Sequence, residues 1–317
     1  MTDHHLVLGI ALLAGTLLLL ASRYFRRPRR SLPLRGWVGL GVILMAELLL
    51  AWRASGWLAT YFTPVAWTGY LLLADGLVAS LKGESRLSRG PGQFLALAFW
   101  SIPLWLIFEA YNLRLQNWAY AGPPLSPVVE DLSYAWAFAT IWPAIHETAD
   151  LIGALGFFQR PGRPRSPLSP GLRKAITVAG LLMVTAPVLL PARMGSYLFG
   201  AVWIGFVPLL DPIIHHWQGP SLLRDFEAGN DARVWCFLAA GWVCGILWEF
   251  WNYWAAARWI YIFPLGQHWK IFEMPAPGFA GFPPFAVECM VMYVFLRTLK
   301  DQLSATGKRV HVIRTEA

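Results

Sequence analysis

Six acidic residues stand inside otherwise apolar stretches of this 317-residue chain, and they form three pairs: Asp75 with Asp211, Glu109 with Glu249, and Glu147 with Glu288. A carboxylate at the centre of a bilayer costs about 2.5–3.5 kcal/mol or more, so each needs a reason to be there. A buried carboxyl without a partner is held as the neutral acid. A neutral acid can give a proton, and an ionised neighbour or an imidazole can take one. Neighbouring residues suit that use. Asn112 and Asn252 follow Glu109 and Glu249 by three positions, one helical turn along the same face. Glu147 and Glu288 each come four residues after a proline, Pro143 or Pro284, that opens the local hydrogen-bond ladder. His215 lies one turn beyond Asp211 and has no counterpart near Asp75, which makes an acid–imidazole pair in the second half alone. Each carboxyl could instead serve only to tie one helix to another.

The pairing belongs to a longer internal similarity. Tyr61, Trp67, Gly69 and Asp75 recur 136 positions later as Tyr197, Trp203, Gly205 and Asp211. Phe108–Asn112, FEAYN, returns as WEFWN at Trp248–Asn252, and Trp118 and Tyr120 return as Trp259 and Tyr261. These repeats must be placed by helices. The chain is 56% hydrophobic and 14% charged, with 18 Trp, and apolar windows near the length of a bilayer crossing recur throughout. The pattern predicts helices near 6–22, 35–53, 61–81, 93–113, 131–157, 173–192, 195–217, 232–256 and 280–300. That is an all-α polytopic membrane protein with about nine spans. It divides into an anchor helix and basic loop (1–34), a four-helix repeat (35–158), a Pro/Arg-rich linker (159–172), a second four-helix repeat (173–300) and a tail (301–317). An even number of spans per repeat sets the repeats parallel, with the working cavity between them.

Basic residues give an orientation. With the amino terminus outside, the inner loops and tail hold 21 of the 26 Lys and Arg, leaving Arg53, Arg114, Arg193, Arg258 and Lys270 outside. The expected setting is the cell (inner) membrane, with the carboxyl terminus cytoplasmic. The first span reads as a retained anchor, because its positive charge follows the apolar run. A net charge of +8 scattered over separate loops fits anionic headgroups and argues against nucleic acid. Cys236, Cys244 and Cys289 have no CxxC spacing and the histidines are too few for a di-iron site, so no metal or other cofactor is expected.

Indole faces stabilise cations within about 6 Å. Trp248, Trp251, Trp259 and Tyr261, with Asn112 and Asn252, are therefore candidate substrate-binding residues beside the acids. Trp118, Tyr120, Trp259 and Tyr261 suit an interfacial aromatic belt equally well. Acids among aromatic walls suit protonation of an isoprenoid double bond, with the carbocation held by ring faces and a second group removing a proton.

The order Glu249, Trp259, Tyr261, Gly281, Pro284, Glu288 resembles the small lycopene cyclase domain of carotenoid pathways, and Glu109, Trp118, Tyr120, Pro143, Glu147 repeats most of it. In place of that family's acid pair two residues after the proline stands one glutamate four residues after it. Membrane-embedded meroterpenoid cyclases are a looser likeness. The resemblance implies cofactor-free, proton-initiated cyclisation or isomerisation of a hydrophobic, prenyl or carotenoid-type lipid. Its candidate catalytic residues are Glu249, Glu288, Asp211, His215, Glu109, Glu147 and Asp75. A transporter with intramembrane carboxylates and a non-enzymatic scaffold are the alternatives. Finally, Lys270–Phe285 is too apolar for an exposed loop and too rich in Pro and Gly for a helix, so it reads as a re-entrant segment over the cavity mouth.

Overall fold

A computed structural model describes residues 3–52, 57–122, 126–159 and 162–315; Arg53 of the expected outer charges, and Arg160 and Pro161 of the linker, lie outside the described residues. Helices run where the apolar windows place them. They are α1 (Asp3–Arg26), α2 (Leu34–Ala51), α3 (Trp57–Lys82), the short α4 (Arg86–Arg89), α5 (Pro91–Leu115), α6 (Pro127–Ala154) and α7 (Pro170–Leu189). A short α8 (Ala192–Gly195) and a 3-10 turn lead into α9 (Phe199–His216), followed by α10 (Leu222–Glu227), α11 (Ala232–Trp254) and α12 (Phe282–Thr315). The protein is a polytopic helical membrane protein. The last helix continues well past position 300, so much of the expected tail is helical.

Among the described residues, eight helices are long and apolar enough to cross a membrane. The ninth expected span, α6, is a full-length helix that falls short on apolarity because it carries Glu130, Asp131, His146, Glu147 and Asp150. Its position explains this. Residues from Phe138 to Ile152 are mostly buried, and α6 packs against α3, α5, α11 and α12. A helix solvated by protein rather than lipid need not be apolar on every face.

The helices pair in the same way in both halves. In the first, α2 packs on α3, α3 on α6 and α5 on α6; in the second, α7 packs on α9, α9 on α12 and α11 on α12. Missing side chains let the outer pairs approach closely. A Cβ at Gly39 would lie 2.5 Å from the Gly69 carbonyl oxygen, and one at Gly180 would lie 2.3 Å from the Leu209 backbone nitrogen. Small residues at such contacts are the usual way that helices meet in lipid. The halves join through α6 against α11, and Trp142 donates its indole N–H to the Cys289 carbonyl at 2.7 Å. The anchor α1 lies on α11, where Trp242 donates to the Thr16 hydroxyl at 3.1 Å.

Candidate functional site

Beyond the carboxyl-terminal ends of α5 and α11 the chain turns back, and an asparagine fixes each turn. The Asn112 amide accepts from the backbone N–H of Asn117 at 2.8 Å and of Trp118 at 3.1 Å, and donates to the Trp118 carbonyl at 2.9 Å. Asn252 binds Trp259 alike, accepting from its N–H at 2.8 Å and donating to its carbonyl at 2.8 Å. Both asparagines are therefore positioning residues for the two Trp-x-Tyr segments rather than substrate ligands. Those segments are strands, β1 (Trp118–Ala121) and β2 (Arg258–Tyr261), paired antiparallel with Trp118 opposite Tyr261 and Tyr120 opposite Trp259. The expected aromatic belt is thus a two-stranded ribbon that ties one half of the chain to the other.

The ribbon brings together the tyrosine partners of the middle pair of acids. The Tyr261 hydroxyl donates to Glu249 Oε1 at 2.7 Å and accepts from the Trp259 indole N–H at 2.9 Å. On the other strand the Tyr120 hydroxyl donates to Glu109 Oε1, which also accepts from the Trp105 indole N–H at 2.8 Å. Burial, and after it the adjoining Glu249 carboxyl, pushes the Tyr261 phenol well above its ordinary pKa. Burial and then Glu109 do the same to Tyr120, so both remain hydroxyl donors. The two pairs differ in access. Glu249 is fully buried and Tyr261 is 8% exposed, whereas Tyr120 is 38% exposed.

Both phenols line a cavity of about 390 Å³ enclosed by α3, α5, α6, α9, α11, α12 and the ribbon. Six tryptophans, Trp67, Trp105, Trp118, Trp203, Trp248 and Trp259, line it together with Phe138, Phe282 and Phe285. The rings brace one another: Trp67 lies 5.3 Å from Trp248 and Trp203 lies 5.3 Å from Phe285, centroid to centroid. Trp251 stands just behind, against Trp67 at 4.9 Å, and donates its indole N–H to Glu47 at 2.8 Å. It supports the wall without lining it.

The other expected catalytic groups lie elsewhere. At the opposite ends of α3 and α9, Asp75 accepts from the backbone N–H of Leu87 at 2.9 Å and pairs with Arg35 at 2.5 Å. Asp211 accepts from the N–H groups of Leu222 at 2.6 Å and Leu223 at 2.9 Å. Each aspartate anchors the first turn of a short helix, α4 or α10, where an anion stabilises otherwise unpaired donors. His215 does not bond Asp211. Its ring meets the Ser221 hydroxyl at 3.1 Å and Glu227 at 3.6 Å, holding the same turn. The acid–imidazole pair expected from spacing is thus two separate braces on one loop.

Glu147 and Glu288 are both fully buried, but neither lines the cavity. Glu288 accepts from the Phe206 backbone N–H at 2.8 Å and forms no ion pair among the described residues. Glu147 lies 3.7 Å from Arg86, which bonds Asp150 at 2.6 Å. The segment Lys270–Phe285 is not the wholly non-helical loop its prolines and glycines suggested: Lys270–Ile271 pairs with Met274–Pro275, Ala276–Gly281 forms a 3-10 helix and Phe282 opens α12, with Ile271, Phe272 and Met274 buried. Its first part packs against α1 and α11, where the Phe272 ring meets Phe250 and Tyr253 and abuts Gly9, while Phe282 and Phe285 at its end belong to the buried wall of the cavity rather than to its mouth. Its expected role as a lid is not what the packing provides.

Sequence reasoning passed over Trp67, Trp105, Trp203 and Tyr134 as site residues. Trp67 and Trp203 had a signal, since they recur as a pair 136 positions apart. Trp105 had none, because glycine stands at the corresponding position 245. Among the described residues no group of three or more His, Cys, Asp or Glu is placed to hold a metal ion. Comparison with known proteins finds no matching family model, no matching curated protein and no matching solved structure.

Proposed function

We propose that this membrane protein is an enzyme that cyclises or isomerises an unsaturated prenyl or carotenoid-type lipid by proton transfer, as the likeness to the lycopene cyclase domain implies. One observation carries the reading: two carboxyl–phenol pairs, Glu249–Tyr261 and Glu109–Tyr120, converge from the two halves on a single cavity walled by six indoles. Aromatic faces at that density serve a developing cation better than they serve a merely apolar chain, and desolvation strengthens the effect to about 2 kcal/mol per contact.

The proposed step is balanced without an added reagent. A proton held on Glu249 passes through the Tyr261 oxygen to a substrate double bond, forming a C–H bond and a tertiary carbocation. An internal double bond of the same molecule attacks that cation and closes a ring. Loss of a neighbouring proton, toward Tyr120 and Glu109, restores a C=C bond, so the product is an isomer of the substrate; release of that proton to solvent and uptake of one by Glu249 when the cavity empties reset the enzyme. General acid–base catalysis of this kind supplies about 10²–10⁴-fold in rate.

The test is turnover in heavy water. Membranes containing the protein, given an acyclic prenyl substrate in D2O, should yield an isomer carrying one deuterium by mass spectrometry. Recovery of unlabelled, unchanged substrate from the whole acyclic prenyl series would overturn the reading. Transport is the second reading, favoured by the Glu147–Arg86–Asp150 chain that runs from the buried interior to a partly exposed carboxylate at the end opposite the ribbon. Proton-driven uptake into proteoliposomes, abolished by Glu147→Gln, would put transport ahead.

A further inference from the structure

The shape of the cavity limits what can occupy it and from which end. Its buried wall is uncharged and mostly aromatic: Trp67, Phe285, Phe282 and Phe138 are buried, and the buried polar residues there, Thr60 and Thr140, are neutral. Two lining residues carry formal charges, Glu130 and Arg258, and both are exposed at the rim, beside the exposed Gly122 and Tyr120. The Tyr134 hydroxyl reaches the same rim and donates to Glu130 at 3.0 Å. A long amphiphile therefore fits in one direction only, chain inward and polar group at Glu130 and Arg258.

Volume sets how much chain goes in. An apolar cavity of about 150 Å³ takes up benzene, a molecule of six carbons. In proportion, about 390 Å³ holds about 16 carbons, close to three isoprene units. A carotenoid of forty carbons would leave most of its length outside.

The geometry points to an amphiphilic prenyl lipid that enters tail first, with about fifteen carbons of its chain enclosed and a hydrogen-bonding head group held between Glu130 and Arg258 at the rim. The inference rests on the same cavity as the proposed enzyme, but not on any turnover. Tail-first entry carries the terminal double bond deepest, against Trp67 and Trp248, and leaves the head group in the polar layer. It favours a prenyl alcohol, quinol or phosphate over a hydrocarbon without a head.

Tryptophan quenching on the full chain in micelles tests this, with each affinity measured relative to partition into protein-free micelles. The probes are geraniol, farnesol and geranylgeraniol, with squalene as a headless control and pentadecanol as a saturated one. Relative to the micelle, affinity should rise at least about tenfold from ten to fifteen carbons, because the longer chain fills the cavity and gains packing contacts with its aromatic wall. It should change by less than about threefold from fifteen to twenty. Pentadecanol and squalene should bind at least about fivefold more weakly than farnesol. The rim variants Glu130→Gln and Arg258→Gln, on exposed sites with folding checked by circular dichroism, should weaken farnesol and leave squalene unchanged. Ala137→Phe, which narrows the cavity, should move the length plateau toward ten carbons. A steady gain per carbon up to twenty, squalene as tight as farnesol, or pentadecanol as tight as farnesol would overturn the inference. If the length plateau holds while no deuterium enters product, the ligand assignment stands and the enzyme reading falls. The converse result would keep the enzyme and discard tail-first entry.

Discussion

The half at 35–158 and the half at 173–300 agree at the ends of their helices and diverge between them. At the ends, Asp75 and Asp211 anchor short helices, Asn112 and Asn252 fix strands, and Glu109 and Glu249 accept from tyrosines of the ribbon. Between the ends, one side is polar and the other is not. The first half has Ser101, Trp105, His146, Thr148 and Asp150 where the second has Gly241, Gly245, Val287, Cys289 and Val291. Ser101 works inside the α6 ladder, where its hydroxyl donates to the Phe138 carbonyl and accepts from the Trp142 N–H at 3.1 Å. At Gly241 a backbone takes the hydroxyl's place, since a Cβ there would come 2.2 Å from the Phe282 carbonyl oxygen. Residues that shape the fold thus match, and residues that set polarity do not. Trp105 donates to Glu109 while Gly245 offers Glu249 no such bond, so the two acids share a geometry and differ in support.

The sharpest way to break that comparison is to neutralise the two acids separately. Glu249→Gln should lower turnover by at least about 100-fold, within the range of a lost general acid, with little change in melting temperature. Glu109→Gln should cost less than about tenfold, because Tyr120 is 38% exposed, so solvent can replace this pair as proton acceptor. Equal losses, measured as kcat on one substrate, would show that the halves have not specialised. A large stability loss in Glu249→Gln would instead make that acid a structural brace.

Packing offers the next test. Gly241→Ala should destabilise by about 2–3 kcal/mol, because the added methyl meets backbone that cannot swing aside. Ser101→Gly, its reciprocal in the first half, should cost about 1–3 kcal/mol by leaving the Trp142 N–H without its partner. Denaturation in detergent would check both. A smaller contrast is expected at the asparagines. Asn252 is fully buried and Asn112 is not, so Asn252→Ala should cost about 1–3 kcal/mol and Asn112→Ala less, since water can reach the freed groups.

Much of this architecture was legible from residue order alone, and particular residues show where legibility stopped. Apolar windows located every long helix, because burial in lipid or core demands them whatever the partners. The paired acids were visible for the opposite reason, since polar groups among leucines stand out. Their partners were not visible. Glu249 meets Tyr261 only because the chain reverses after Trp254, Glu109 meets Tyr120 only because it reverses after Leu115, and the two tyrosines reach one cavity only through a ribbon between residues about 140 positions apart. Asp211 and His215 looked like a chemical pair at helical spacing, yet both turn toward the loop that begins at Ser221. A capping serine ahead of each short helix, Ser85 or Ser221, was the available signal that those loops fold back. The cavity as a whole had no local signature: its wall is drawn from six helices and the ribbon, and although α3 and α6 each supply several lining residues, α5, α9 and α11 supply one tryptophan each.

The smallest expected effect concerns how the two corresponding helices α5 and α11 begin. Helix α5 starts at Gly90–Pro91, whereas α11 starts beside Asp231, whose carboxylate accepts two bonds from Arg165 of the linker at 2.8 and 2.6 Å. The same arginine lies over the Phe226 ring at 4.3 Å, and the linker backbone bonds Gly229 at 2.7 Å, so the linker is tied to the second half. Arg165 holds the Asp231 carboxyl below its ordinary range. A folded-state pKa below the unfolded value means that the pair's stabilisation is present above the unfolded value, about 3.9. It is lost as pH falls through the lower, folded value. The difference in melting temperature between the protein and Arg165→Gln should therefore be steady from about pH 7 to 5 and shrink below about pH 4. Taking this difference cancels the neighbouring Asp225, which burial moves the other way and which pairs with Arg233 at 2.6 Å. Both partners are about one-third exposed, so the difference should also shrink in 1 M salt, where charges are screened within about 3 Å. A difference unchanged by acid and by salt would mean that Arg165 acts through its stacking on Phe226, and the linker would then be held to the second half by packing instead of charge.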